Sequence, residues 1–359
     1  MPPRIRADLA HIPSYVPGRN IPGAIKLASN EVALGPLPSV LDTIAEASAT
    51  INRYPDNGAT ALVGRLARRF GVDTEQVAVG CGSVALCEQL LQATCDAGDE
   101  VVFGWRSFEV YPIFTQVVGA RAVTVPLTAD HRLDVDGLLA AITPATRLLF
   151  ACTPNNPTGT ALRSAELARL LDGVPEHVLV VIDEAYREFV SDPDVPDGIA
   201  VAKDAWARGQ HNVAVLRTFS KAYGLAGLRV GYCVGSPALA DALHKVYVPF
   251  GVNSLAQAAA IASLDAADEL LARCAAVVAE RDRVRDELLE SGYDIPDTQA
   301  NFVWLPLGPR TAEFNEHCFD HKIIVRAFVA GAPSDGVRVT IGEPAENDAF
   351  LAAARSFPR

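Results

Sequence analysis

The sequence predicts an α/β fold, with a large domain built on a mostly parallel sheet covered by helices and a smaller α+β domain beside it. Three observations lead there. Short apolar runs alternate with helical stretches between Val77 and Val234. Those runs are continuously apolar, as in strands buried on both faces. Near Ser254 the texture changes to alanine-rich and then charged helix. The 359 residues, 50% of them hydrophobic, exceed one ordinary domain and are ample for a large core.

In order, a Pro- and Gly-rich arm from Ile12 to Gly23 precedes a helix from Pro38 to Thr50 and another from Thr60 to Phe70. Strands are then expected at Val77 to Val79, Val101 to Phe103, Ala122 to Val125, Leu148 to Ala151, Val178 to Ile182, Val213 to Leu216 and Arg229 to Val234, separated by helices. After the helices that begin at Ser254, a strand at Phe302 to Leu305, a helix at Thr311 to Phe319 and strands at Ile323 to Arg326 and Gly336 to Thr340 compose the smaller unit. In such parallel sheets ligands bind beyond the carboxyl ends of the strands.

Composition narrows the function. The seven cysteines are odd in number and contain no Cys-x-x-Cys pair, which fits a reducing cytosol. The first residues carry charge where a secretory signal needs an apolar stretch, and no run approaches the ~20 apolar residues of a spanning helix. A cytoplasmic location is expected, with no membrane partner. A formal charge of −12 leaves no basic stripe for a phosphate backbone, so no nucleic-acid partner is expected either. His317 and His321, four apart on a helix, imitate a metal pair but lack a third ligand, and no metal site is assigned.

The chemistry gathers around Lys221 in Arg217-Thr218-Phe219-Ser220-Lys221, with Arg229 eight positions later across a glycine-rich bend. An amine beside small hydroxyls and a fork-shaped cation suits a lysine that bonds an aldehyde next to a bound phosphate, the layout of a pyridoxal phosphate (PLP) site. Thr218, Ser220 and Arg229 would hold the phosphate. Upstream, the apolar run from Val178 to Ile182 delivers Asp183 and, three residues on, Tyr186 to the mouth of the sheet. An aspartate there keeps a pyridine nitrogen protonated, while Asn156 and Tyr186 can hydrogen-bond the ring's phenolic oxygen. Taken singly, Asp183 also suits a helix cap and Asn156 a turn in Asn155-Asn156-Pro157-Thr158-Gly159.

Together with Leu27-Ala28-Ser29-Asn30-Glu31, Asn52-Arg53-Tyr54-Pro55, Ala300-Asn301-Phe302 and Val337-Arg338-Val339-Thr340, these blocks span the chain nearly end to end. The chain resembles the fold-type I PLP-dependent enzymes, within them the class I/II aminotransferase branch that holds the histidinol-phosphate and aromatic amino acid aminotransferases. The resemblance implies PLP as cofactor and Lys221 as the catalytic residue. It places the backbone N–H groups of Gly82 and Ser83 on the phosphate at a helix N-terminus, and Phe108 against the cofactor ring, with Tyr111 as the alternative. Tyr54 would cross a homodimer interface to the partner's phosphate. Arg338 would clamp the substrate's α-carboxylate, with Asn30 and Tyr15 at the entrance. The implied division is an arm and part of the small domain over 1–42, the large PLP-binding domain over 43–253 and the small domain over 254–359.

The reaction implied is ping-pong transamination between an amino acid and 2-oxoglutarate or a similar acceptor. The stretch Trp105 to Pro112 and Phe250-Gly251-Val252-Asn253 look like the aromatic subgroup, so phenylalanine, tyrosine or tryptophan is the expected donor. Glu109 would disfavour a substrate phosphate if it faced the pocket. Histidinol phosphate is the alternative donor, and a PLP-dependent decarboxylase or lyase of the same fold a further alternative. A nicotinamide enzyme is disfavoured because Gly80-Cys81-Gly82 lacks the third glycine of the dinucleotide fingerprint.

Overall fold

The computed structural model describes residues 3, 5, 6, 9, 21–331 and 334–358. A short strand β1 (Ile25–Lys26) precedes a large sheet of β2 (Val77–Gly80), β3 (Glu100–Trp105), β4 (Arg121–Pro126), β5 (Thr146–Cys152), β6 (Leu179–Asp183), β7 (Val213–Thr218) and β8 (Gly231–Val234). Their spatial order is β2-β8-β7-β6-β5-β3-β4, and only β8 runs antiparallel to its neighbours. The mostly parallel sheet expected from the apolar runs is therefore present. The last strand begins later than expected. Arg229 lies outside it, at φ 59 in a left-handed bend that follows a short 3-10 turn.

Successive residues along each strand feed opposite faces, as the period of two requires. Val102, Leu149, Val180 and Val215 join one core with the helices Thr60–Phe70, Ser164–Gly173 and Gly198–Ala207. Val101, Phe103, Phe150, Val181 and Leu216 join the other with the helices Gly82–Thr94 and Pro237–Val246.

The smaller unit contains β9 (Phe302–Leu305), β10 (Ile323–Ile324), β11 (Arg326–Phe328) and β12 (Gly336–Thr340), with β11-β12-β9 as an antiparallel sheet. The single strand expected from Ile323 to Arg326 is split at Val325. Its first half pairs with β1 and its second with β12, so the chain changes sheet there. Leu27 from the chain's beginning sits in this core, and its carbonyl accepts from the Thr340 amide at 2.9 Å.

Packing crosses the divisions at 42 and 253. Leu37 and Val40 on one side, and Ala256, Ala259, Ala260 and Leu264 on the other, lie in the core of the large sheet. The 24-residue helix Ala267–Glu290 touches both units: Leu270 and Cys274 belong to the large core, Val284 and Leu288 to the small one. We propose that this helix, roughly 36 Å long at 1.5 Å per residue, is the true connector between the domains. Among the described residues no helix is long and apolar enough to cross a membrane.

A buried ion network underpins the large sheet. Arg217 on β7 donates from Nε and Nη2 to Glu184 Oε2 at 3.0 and 2.7 Å, and from Nη2 to Asp197 Oδ2 at 2.8 Å. Glu184 Oε1 in turn accepts from the Gly198 amide at 2.9 Å. Removing one partner strands a buried charge, which costs about 3–5 kcal/mol. Arg217→Met is expected to lower stability by that amount, measured as a fall in thermal midpoint; an unchanged midpoint would show the network to be dispensable.

Candidate active site

Three neighbouring parallel strands end on one cavity. β5 delivers Cys152, β6 Asp183 and β7 Thr218, and all three line a cleft of about 1270 Å³ closed on its other side by β11 and β12. Asn30, Ser83, Phe108, Asn156, Tyr186, Ser220, Lys221, Arg229 and Arg338 line the same cleft. Residues scattered over three hundred positions meet because the crossover helices return every parallel strand with its carboxyl end on the same edge.

Asp183 is 2% exposed. Its Oδ2 accepts from Tyr111 Oη at 2.6 Å, and its Oδ1 has no hydrogen-bond partner. Burial pushes this carboxyl up to about 6, against the opposing pull of the Tyr111 hydroxyl and the Ala185 amide. A buried acceptor facing a cleft without a donor calls for a cationic N–H from a ligand. A protonated pyridine nitrogen is such a group, so the residues present fit PLP.

The other end of the cleft is built for an anion. Thr218 Oγ1 donates to Ser220 Oγ at 3.0 Å, and Arg229 Nη1 reaches Ser220 Oγ at 3.2 Å. The helix Gly82–Thr94 begins beside them with Ser83 in the cleft wall. Gly82 itself sits behind the lining at φ 76. A Cβ there would meet Arg229 Nη2 at 2.4 Å, so only glycine lets the guanidinium lie against the helix start. Hydroxyls, guanidinium and helix N-terminus converge as a phosphate requires.

Lys221 lies between these ends, half-buried, with Nζ donating to the Ser29 carbonyl at 2.8 Å. Burial first, then the cations of Arg338 and Arg229, bring its amine down to about 7, while Glu31 opposes them. Near neutral pH a large fraction of the amine is therefore unprotonated and nucleophilic.

Arg338 is 7% exposed; its Nη2 donates to the Ala28 carbonyl at 2.6 Å and its Nη1 to Asn156 Oδ1. The second bond orients the Asn156 amide so that its NH₂ is turned away from the arginine. Asn30, at φ 55, donates from Nδ2 to Tyr186 Oη at 2.9 Å, which leaves the phenol its own hydrogen to donate. Burial pushes Tyr186 up to about 12, keeping it protonated.

Some expectations are redistributed. Phe108 lines the cleft, whereas Tyr111 is fully buried behind it, stacked on Phe150 at 4.2 Å. Tyr111 is thus a support of Asp183 rather than a ring-stacking residue, a role that no sequence signal announces. Tyr54 does not line the cleft of its own chain; it is 82% exposed and stacks on Phe250 at 4.6 Å. Tyr15 lies outside the described residues. His317 is engaged by the Ala353 carbonyl and Ser356 Oγ, and His321 by the His317 carbonyl. Glu109 and Arg326, absent from the assigned set, form an ion pair at 2.8 Å in the cleft wall.

Comparison with known proteins agrees with this geometry. The family model for aminotransferase class I and II matches residues 22–353. A protein named aromatic amino acid aminotransferase from Rhodococcus jostii is 61% identical over 356 residues, covering 99% of this chain and 96% of the relative. One of the same name from Mycobacteroides abscessus is 57% identical over 357 residues, covering 99% and 100%. The crystal structure of histidinol-phosphate aminotransferase from Sinorhizobium meliloti, in complex with pyridoxal-5'-phosphate, aligns with a TM-score of 0.85 at 31% identity, over 92% of this chain and 90% of that one.

The two perturbed groups predict opposite pH slopes in ligand-free protein. Lys221 titrates near 7 when folded and near 10.5 when unfolded, so between those values the unfolded chain binds more protons and stability rises with pH. Asp183 titrates near 6 when folded against 3.8, so from about pH 4 to 6 the folded chain binds more protons and stability falls as pH rises. Thermal midpoints across both windows should lose the first slope in Lys221→Met and the second in Asp183→Asn; slopes equal to wild type would refute the assignments.

Proposed function

The chain belongs to the class I and II aminotransferases, and from that membership we propose that it transfers the amino group of aromatic amino acids to 2-oxoglutarate by a ping-pong route, with PLP as cofactor. One observation carries the reading. Lys221 with its lowered proton affinity, the unpartnered Oδ1 of Asp183 and the Thr218–Ser220–Arg229 cradle share one cleft. PLP, when bound, supplies an aldehyde that bonds amines and a ring that accepts electrons.

Each residue then has a task. Asp183 Oδ1 would accept from a protonated ring nitrogen, with Tyr111 holding its other oxygen. Asn156 Nδ2 and Tyr186 Oη would donate to the phenolic oxygen. Thr218, Ser220, Arg229 and the amides of Gly82 and Ser83 would hold the phosphate, and Phe108 would lie against the ring. Arg338 would grip the substrate's α-carboxylate with a fork already aimed by Ala28 and Asn156, and Asn30, buried at 1% exposure rather than at the entrance as expected, orients the Tyr186 hydroxyl. Lys221 Nζ, its proton affinity lowered by burial to about 7, would take the proton from the substrate's α-carbon, and PLP would supply the electron sink that makes that proton removable.

The apolar part of the lining favours an aromatic donor. Ile113, Phe114, Phe319 and Phe328 belong to it, and each Å² of apolar surface that a phenyl ring hides against it contributes about 25 cal/mol. We also propose a homodimer in which the exposed Tyr54 reaches the partner's phosphate. That Tyr54 and Phe250 form a solvent-facing aromatic pair supports it. Seven cysteines that are all free thiols support a cytoplasmic location.

Purified protein loaded with PLP should lose its visible absorbance rapidly on adding L-phenylalanine and regain it with 2-oxoglutarate. Much faster loss with L-histidinol phosphate would assign the protein to that substrate instead. Lys221→Ala should keep weakened PLP binding through the phosphate contacts while turnover falls by about 10²–10⁴; wild-type turnover in that variant would remove Lys221 from the mechanism.

A further inference from the structure

Three guanidiniums gather around one ring. The Cζ atoms of Arg106, Arg326 and Arg338 lie 5.5, 5.6 and 5.5 Å from the centroid of Phe328 on β11. All are within the roughly 6 Å at which a cation is attracted to the electron-rich face of an aromatic ring. The small sheet itself brings two of them there, because Arg326 and Arg338 are directly opposed in the antiparallel register, where like charges repel. Arg326 has a carboxylate partner in Glu109 at 2.8 Å. Arg106 follows β3 of the large sheet and is 7% exposed, and its ion pair with Asp335 is loose at 3.8 Å.

Phe328 is itself held in place. It lines the cleft but is 3% exposed, so little of its ring is left for a ligand to touch. Trp304 packs edge-on against it at 5.7 Å. Opposite Phe328 the ladder carries Gly336, where a Cβ would meet Trp304 Cζ2 at 2.3 Å, so glycine there leaves the indole room to reach across the strands. The Arg338 guanidinium is also 5.5 Å from the Phe302 ring, which places an aromatic ring on each of its neighbouring strands, β9 and β11. Its bonds to the Ala28 carbonyl and Asn156 Oδ1 fix the two prongs of the fork, and the two rings limit how its plane can tilt.

We propose that Phe328, besides its place in the apolar lining, is a positioning residue for the carboxylate clamp and acts through Arg338. This rests on the reading of Arg338 as the residue that takes the α-carboxylate. The ring offers partial negative charge to three cations at once, which an aliphatic side chain of similar volume does not. Without it the opposed arginines repel with less to offset them, and the fork of Arg338 loses one of the two rings that set its plane. An amino acid and a 2-oxo acid differ in their side chains but share the α-carboxylate. A residue that acts through Arg338 therefore serves both, whereas one that only lines the apolar wall serves the aromatic donor alone.

The test is equilibrium binding to the PLP-loaded protein of two inert carboxylates: propionate, which has no ring, and 3-phenylpropionate, which has one. Phe328→Leu is expected to weaken propionate by about tenfold and 3-phenylpropionate by at least that factor, with the visible absorbance of bound PLP unchanged. In an Arg338→Met background the same change should cost propionate less than about twofold, since the residue it acts through is gone. Phe328→Tyr, which keeps the ring, should bind propionate as wild type does. Phe328→Met takes the place of Phe328→Leu if leucine prevents folding, with the same expected loss. Propionate affinity unchanged by loss of the ring, a loss confined to 3-phenylpropionate, or a tenfold loss that persists without Arg338 would each overturn the proposal. These affinities are read without turnover. Failure of phenylalanine to bleach the wild-type enzyme would sink the aromatic reading, and is a separate result.

Discussion

A carboxylate buried at the end of β6 with one oxygen unpartnered is the constraint on which the rest of the site depends. Burial raises the Asp183 carboxyl to about 6 against the pull of the Tyr111 hydroxyl, so near neutral pH it is held mostly ionised. Tyr111 fixes one oxygen, and the stacking of that phenol on Phe150 fixes Tyr111. The remaining oxygen is thereby aimed without being satisfied. A bound cation completes it, so the fold stores at this position an unmet electrostatic demand that a ligand meets.

That demand is useful only if the cleft keeps its shape, and the cleft lies between two cores. Helix Ala267–Glu290 enters both, and Arg281 on it, 1% exposed, donates to the Phe189 and Ala300 carbonyls and to Ser191 Oγ. A single buried guanidinium therefore ties the loop after β6 to the segment that leads into β9. From the other side, Leu27 and Asn30 bind Thr340 at the end of β12. The segment from Leu27 to Asn30 thus connects the small sheet to Lys221, whose amine rests on the Ser29 carbonyl.

Much of this was legible in the sequence. Buried parallel strands are short continuous apolar runs, so β5, β6 and β7 announce themselves, and with them the positions of Cys152, Asp183 and Thr218 at their carboxyl ends. Glycine-bounded Lys221 and Arg229 follow from local chemistry. What escaped depends on partners far apart in sequence. The split at Val325 depends on β1 arriving from the other end of the chain. The burial of Tyr111 behind Phe108 depends on how a two-turn helix seats on the sheet, and aromatic residues three apart give no sign of which faces the cleft. The division at 253 followed the change in texture and that at 42 the resemblance, whereas alanine-rich helix packs as readily on the large core as on the small one.

The opposed pair of Arg326 and Arg338 is the clearest instance of a site property that only register reveals. They lie twelve positions apart on different strands, and only Arg338 was expected in the site; one hydrogen-bonded ladder makes them neighbours in a cleft. The same ladder sorts the cleft by charge. Arg229 meets the Ser220 hydroxyl and the Ala226 carbonyl, and Arg338 meets the Asn156 amide oxygen and the Ala28 carbonyl. Arg326 meets a carboxylate, that of Glu109. Under the proposed function, a substrate's α-carboxylate held by Arg338 would bring its α-carbon to Lys221, which lines the same cleft.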